Sequence, residues 1–279
     1  MKKNVSLSAK KRVWELDAAR GFLTLGLLLF HLYFTLDAFY VNGHYTKIDS
    51  YAFVNAVDPL RIFWGVTETG KLQRVFLGKY FDFVNRSGVN LFFIISGISC
   101  RFSRDNLKSG LRLMGGAAFV SGFTKLLALC TGDPGQFTRF GALHCYAACH
   151  LIYSFFLEGR KNSVLLTTAI PSLLIGYFLR YVYPMSSEFA LLYPFGVREI
   201  GAIGRDYWPI FPMLGWFLAG VILGRRWYQE KDTRFPNSRG INLTRPIRLL
   251  GRHSGVIYCG HMVIYTVVFC GAGYIFDLY

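Results

Sequence analysis

The stretch Arg20-Gly-Phe-Leu-Thr-Leu-Gly-Leu-Leu-Leu-Phe-His-Leu-Tyr-Phe-Thr-Leu-Asp-Ala-Phe-Tyr-Val41 decides the fold. About 20 predominantly apolar residues cross a bilayer as one helix, and this run is long enough. Further runs of the same kind follow over 80–100, 111–130, 140–157, 163–182, 208–224 and 254–276. The composition agrees with them. The chain has 279 residues, 53% hydrophobic and only 17% charged, with a mean hydropathy of +0.33. Soluble domains carry about 25% charged residues, and a globule in water would have to expose the apolar excess. Disorder is excluded, because it needs low hydrophobicity. The expectation is an all-α fold, a polytopic integral membrane helical bundle of about seven transmembrane helices, forming one membrane-embedded domain over 1–279.

The net charge is +15 and the pI about 9.7. On a soluble protein this would suggest nucleic acid; on a membrane protein it marks cytoplasmic loops. Lys2, Lys3, Lys10, Lys11, Arg12 and Arg20 precede or open the first run. Arg101, Arg104, Lys108 and Arg112 follow the second, Arg160 and Lys161 the fourth, and a basic stretch from Arg225 to Arg252 the sixth. The alternate loops carry fewer cations over longer stretches. The positive-inside rule therefore places the N-terminus in the cytoplasm and the chain, multi-pass, in the cytoplasmic membrane, with no nucleic-acid partner. The first run is too long for a signal-peptide core and lacks a small-x-small cleavage site after it, so it reads as an uncleaved helix. The six cysteines form no CxxC pair, and Cys145 and Cys149, four residues apart, read as buried thiols rather than metal ligands.

Polar groups at membrane depth are costly and usually face the bundle interior. Taking Asp17 as zero and about 100° per residue, Arg20, Thr24, His31 and Thr35 fall within an arc of about 60°. His31 lies about 16 Å along the helix from Arg20, near the bilayer midplane. It is either a structural histidine bonded to a neighbouring helix or a proton-transfer group suited to neutral pH. The second run aligns Arg86, Asn90, Gly97 and Arg101, and the seventh aligns Ser254, Tyr258, His261 and Tyr265. His144 and His150 lie on different faces of the fourth and read as structural.

Taken in order, these segments resemble a known family, the catalytic domain of the lysosomal heparan-α-glucosaminide N-acetyltransferase and its bacterial relatives. The resemblance rests on Glu15-Leu-Asp-Ala-Ala-Arg-Gly21, Leu28-Leu-Phe-His-Leu-Tyr-Phe34 and Ser87-Gly-Val-Asn-Leu-Phe-Phe-Ile-Ile-Ser-Gly-Ile-Ser99. It continues in Arg139-Phe-Gly-Ala-Leu-His144, Asp206-Tyr-Trp-Pro-Ile-Phe-Pro212 and Leu250-Gly-Arg-His-Ser254, with Ile257-Tyr258 and His261 beyond.

The resemblance implies acetyl transfer from acetyl-CoA, held on the cytoplasmic side, to an acceptor on the other side. The acceptor would be an amino sugar, an envelope glycan or a lipid headgroup. Arg20, Arg101, Arg104 and Arg252 are candidates for the coenzyme A phosphates, since guanidinium groups bind phosphate bidentately. Each is equally an ordinary positive-inside residue. Ser254, Tyr258 and His261 are assigned to the same cofactor. His31, aligned with Asp17, is a candidate base or acyl carrier, and Asn90 or Tyr258 a candidate oxyanion donor. Asp206 is a candidate for orienting the acceptor. His44, in Val41-Asn-Gly-His44, is the alternative catalytic histidine, because the lysosomal enzyme resembled here places its own in the segment after the first matching helix. No metal is expected, and the resemblance admits a homodimer. Two other readings stay open: a transporter or flippase for an envelope precursor, and a non-catalytic membrane subunit whose polar stripes only join helices. A transporter would be expected to show an internal repeat, and none is evident.

Overall fold

The computed structural model describes residues 13–36, 64–66, 72–74, 76–132, 134–200, 206–236 and 240–275. It is mostly helical (78%). Among the described residues the α-helices are α1 (Trp14–Leu36), α2 (Phe76–Ser99), α3 (Asn106–Thr131), α4 (Ala142–Ile152), α5 (Asn162–Tyr177), α6 (Ile210–Trp227), α7 (Gly240–Leu243), α8 (Arg245–Arg252) and α9 (Ser254–Ile275). A π-helical turn extends α4 through Tyr153–Leu157, and another extends α5 through Phe178–Val182. A helix overlies each of the seven apolar runs. Four are long and apolar enough to cross a membrane: Trp14–Tyr33, Asn106–Cys130, Asn162–Val182 and Ser254–Ile275. The stretch Ala142–Leu157 is apolar but shorter, the continuous helix α2 carries the polar Arg86 and Asn90, and α6 ends on Arg225 and Arg226.

Local chemistry sets the helix ends. Helix α1 starts at Trp14, upstream of the apolar run, where Glu15 and Asp17 in its first turn complement the exposed N–H groups. Asp105 caps α3, its side chain accepting from the Lys108 N–H at 2.8 Å. Gly132, at φ +67°, ends that helix in the left-handed conformation that favours glycine. Two short β-pairs lie in the connections. Strands β1 (Trp64–Val66) and β2 (Leu72–Arg74) pair antiparallel, Trp64 opposite Arg74. Strands β3 (Ser186–Ser187) and β4 (Arg198–Glu199) pair in parallel.

The chain divides into two compact units. The first comprises Met1–Phe22 and Phe93–Arg252, the second Leu23–Phe92 and His253–Tyr279. In the first unit α3 packs on α4 and α5 on α6 most extensively. Its fully buried side chains include Phe93, Leu165, Met213, Phe217 and Leu218. The end of α2 meets α6 through glycine. A Cβ on Gly97 would collide with the Phe217 carbonyl, one on Gly220 with the Ile94 carbonyl, and one on Gly224 would lie 2.9 Å from the Ile98 Cα. Gly220 and Gly224 are a GxxxG pair, which lets helix backbones approach where lipid offers no hydrophobic drive.

Gly220→Ala is therefore expected to lower the melting temperature of the purified protein. Gly115→Ala has nothing within 4 Å of the new Cβ, and it should be neutral or stabilise α3 by up to about 1 kcal/mol. Equal effects of the two substitutions in a thermal melt would refute the close approach.

Candidate active site

In the first unit the motif around Asp17 closes on the motif around Gly251. A Cβ on Gly21 would collide with the Ile247 carbonyl, and one on Gly251 with the Asp17 carbonyl. Glycine at both positions lets α1 and α8 touch backbone to backbone. That contact brings Arg252 to Asp17, a residue only 6% exposed. Asp17 Oδ1 accepts from Arg20 Nη1 at 3.1 Å, and Oδ2 from Arg252 Nε at 3.3 Å. A buried carboxylate needs such partners. Arg20 Nη2 also donates to Ser99 Oγ, and Ser99 Oγ donates in turn to the Ile95 carbonyl. One network thus joins α1, α8 and the end of α2. Glu15, in the first turn of α1, accepts from Thr233 Oγ1 and the Arg234 N–H at 2.7 and 2.8 Å.

Two residues of the sequence motifs serve helix ends. Arg101 donates through Nε to the Tyr228 carbonyl (3.2 Å) and through Nη2 to the Gln229 carbonyl (2.6 Å). Those carbonyls follow the C-terminus of α6, where a cation is favoured by the helix dipole. Asp206 accepts from the N–H of Ala142, the first residue of α4, and from the Trp208 side chain. It packs so closely over Gly141 that a Cβ there would collide with it. Burial pushes the Asp206 carboxyl up to about 6, against the opposing effect of those two hydrogen bonds. Arg104 is exposed in the turn after α2.

In the second unit the stripe on α9 meets the latter part of α1. His31 Nδ1 and His261 Nε2 are 2.5 Å apart. The ring planes differ by 2° and the centroids lie 4.6 Å apart, so the two imidazoles meet edge to edge in one plane. His261, only 3% exposed, directs Nδ1 at the Ile257 carbonyl (3.2 Å). A carbonyl only accepts, so His261 Nδ1 carries the hydrogen and, in the neutral ring, Nε2 is the acceptor. His31 Nδ1 must then donate, which leaves His31 Nε2 with the lone pair. Tyr258 and Tyr265 flank His261 edge-on, each with its ring centroid at 5.6 Å. Tyr265 donates its hydroxyl to the Leu28 carbonyl at 3.0 Å, which ties α9 to α1 a turn before His31. Asn90 is partly buried on α2, and no hydrogen bond joins it to either histidine among the described residues. Ser254 begins α9 and is partly buried. His44 lies outside the described residues.

The two histidines of α4 have partners on neighbouring helices. His144 Nδ1 accepts from the Gly141 N–H (3.3 Å), and Nε2 pairs with Ser121 Oγ (3.0 Å). His150 pairs with Ser96 Oγ at 3.0 Å. Among the described residues no group of three His, Cys, Asp or Glu is placed to hold a metal ion. Sequence reading placed His31 and His261 on inward stripes without joining them; their pairing depends on the relative rotation of two helices. It also missed that Gly21 and Gly251 bring Arg252 to Asp17.

Two outcomes follow from the helix-end contacts. Arg101→Ala should lower the melting temperature of ligand-free protein, because it removes both hydrogen bonds to the Tyr228 and Gln229 carbonyls. For Asp206 the folded carboxyl titrates near 6 and the unfolded one near 3.8. As pH rises from about 4 to about 6 the unfolded state ionises first, so this group's contribution to stability falls across that window. Melting temperature against pH should show the fall in the wild type and a weaker one in Asp206→Asn. A parallel pair of curves would exclude the raised titration.

Comparison with protein families adds the last observation. The family described as heparan-alpha-glucosaminide N-acetyltransferase, catalytic, matches over residues 59–263. Neither a curated protein nor a solved structure matches the chain. The matched stretch takes in the motif around Asn90 and Arg101, Asp206, the glycine at 251 and His261, and the chain belongs to the heparan-alpha-glucosaminide N-acetyltransferase catalytic family.

Proposed function

We propose that the chain is a multi-pass membrane acetyltransferase that takes its acetyl group from acetyl-CoA. The acceptor is an amino sugar, glycan or lipid headgroup presented on the side opposite the donor. In this reading all seven apolar helices cross the membrane as one embedded domain, with the N-terminus in the cytoplasm. The family supplies the transferase class. The edge-to-edge histidine pair carries the rest, because it leaves a lone pair on His31 Nε2.

His31 Nε2 takes a proton from the acceptor amine or hydroxyl as that atom attacks the thioester carbonyl. The new N–C or O–C bond forms, the C–S bond breaks, and the proton on Nε2 passes to the leaving thiolate. While the His31 ring is charged, His261 Nε2 accepts from its Nδ1–H and so stabilises the imidazolium. His261 is a positioning residue here, held in the accepting tautomer by the Ile257 carbonyl. Asn90 and Tyr258 are the candidate donors to the oxyanion. Arg20 and Arg252 serve the phosphates of the donor, with Asp17 holding both guanidinium groups in place; Arg101 and Arg104 of the first unit, and Ser254 of the second, are further candidates for the same ligand. Asp206 orients the acceptor. His44 is the competing base.

Acetyl transfer from radiolabelled acetyl-CoA to an amino-sugar panel, in detergent or nanodiscs, tests this reading. His31→Ala is expected to lower kcat by about 10²–10⁴-fold, the usual contribution of a general base. His261→Ala should lower kcat with little change in KM and displace the pH–rate profile, as loss of a tautomer-setting partner requires. Full activity in His31→Ala with loss in His44→Ala would transfer the base to His44. Retained label on acid-quenched protein, absent in His31→Ala, would instead assign an acyl-histidine route.

A further inference from the structure

The exposed apolar surface of α5 does not stop where the helix does. Helix α5 and its π-helical extension, Asn162–Val182, are long and apolar enough to cross a membrane, and Leu174, Phe178 and Val182 are half exposed or more. Residues 181–185 are all exposed. Farther into the connection Phe189 is 73% and Leu191 83% exposed. Between Tyr177 and Phe195 the charged residues are Arg180 and Glu188 alone. In water such a surface is costly. The connection is nevertheless built rather than slack. The Arg198 N–H donates to the Met185 carbonyl at 3.0 Å and the Ile200 N–H to the Ser187 carbonyl at 3.2 Å, which joins its two ends as the β3–β4 pair. Between them Ala190–Phe195 forms a 3₁₀ turn. Such a turn repeats every three residues, so Leu192 and Phe195 share one face and Tyr193 lies on another. Leu192 and Phe195 are exposed, whereas Tyr193 is buried. Tyr207 holds Tyr193 there, its hydroxyl donating to the Tyr193 carbonyl at 2.7 Å with the ring centroids 4.3 Å apart. Gly196 ends the turn at φ +112°, where a Cβ would lie 3.3 Å from Leu179 of the α5 extension. This frame displays the apolar side chains outward. Tyr177, Tyr181 and Tyr183 are exposed at the same end of α5, and tyrosines concentrate at membrane–water interfaces. Arg180 lies over the Tyr181 ring at 5.5 Å, a long cation at a helix end, where its charge stays at headgroup level.

We propose that the turn Phe189–Phe195 is a bilayer-docking element, seated in the leaflet at the C-terminal end of α5. Phe189, Leu191, Leu192 and Phe195 lie at the boundary between phospholipid headgroups and acyl chains, the level that apolar faces of interfacial elements occupy. The occupant is the lipid surface because the exposed apolar residues continue along the chain from a helix apolar enough to cross the membrane. This placement requires α5 to cross the membrane, as read above, and is independent of acetyl transfer. Through Tyr193 and Tyr207 it fixes the segment next to Asp206 relative to the bilayer surface.

The test is photolabelling of the full chain in nanodiscs, mapped by mass spectrometry, with three diazirine probes. One is a phospholipid carrying the diazirine next to its headgroup, one carries it at the end of an acyl chain, and one is water-soluble. The headgroup-proximal probe is expected to label the turn, and the chain-end probe to label Leu166 and Leu174 of α5 but not the turn. In Phe189→Asp/Leu191→Asp, labelling of the turn should fall about tenfold or more, since withdrawing each such side chain from water is worth at least that in partitioning. Both substituted side chains are exposed, so the melting temperature should hold, and labelling of α5 should not change. Labelling of the turn by the water-soluble probe alone would overturn the proposal, and so would labelling by the chain-end probe, which marks deep insertion. A turn reached by none of the probes but cross-linked to a second copy would give this face to a dimer instead. Loss of lipid labelling on α5 as well would remove the membrane placement of α5 together with the docking of the turn. None of these readouts uses acetyl-CoA, so each stands apart from the acetyltransferase reading.

Discussion

The basic side of the first unit depends on one buried carboxylate. Asp17 is 6% exposed, and an ionised group there is tolerable only when its oxygens are occupied by donors. Arg20 occupies one oxygen and Arg252 the other. Three segments far apart in the chain must meet for this to happen: the start of α1, the end of α2 through Ser99, and α8. The meeting is possible because residues 21 and 251 have no side chain. The ion pairs and the glycines are one device. Without the close approach Arg252 would not reach Asp17, and without Arg252 the approach would bury an incompletely paired charge.

The second unit applies the same rule to neutral groups. Imidazole rings set into apolar helices need partners for both nitrogens. His261 obtains them from its own helix and from His31, and the order of donors and acceptors along that chain follows from the single fact that a carbonyl cannot donate. The polarity of the pair is thus set by Ile257. A structural histidine pair and a catalytic one look alike in this respect; the family match, over residues 59–263, takes in His261 but not His31.

Two motif residues meet helix ends. Arg101 neutralises the end of α6 and Asp206 the start of α4, where unpaired backbone groups concentrate. A sequence motif shows that a residue type is needed at a place. It does not distinguish a charge that meets a ligand from one that meets a helix terminus, since both are satisfied by the same guanidinium or carboxylate.

How much was legible beforehand follows from the range of each interaction. The helical content, the apolar runs and the inward faces of α1 and α9 could be read directly, because hydrophobic length and a 100° repeat are local properties of a chain. Helix caps such as Asp105 and Gly132 are equally local. The family was legible from motif order, since ordered short motifs survive without any knowledge of their contacts. The pairing of His31 with His261, the two arginines sharing Asp17 and the Arg101 cap were decided only by tertiary structure. Each joins residues far apart in the chain, and each depends on helix rotation and separation to within an ångström or so. Those quantities are set by where glycine lets backbones touch, which no period in the sequence records.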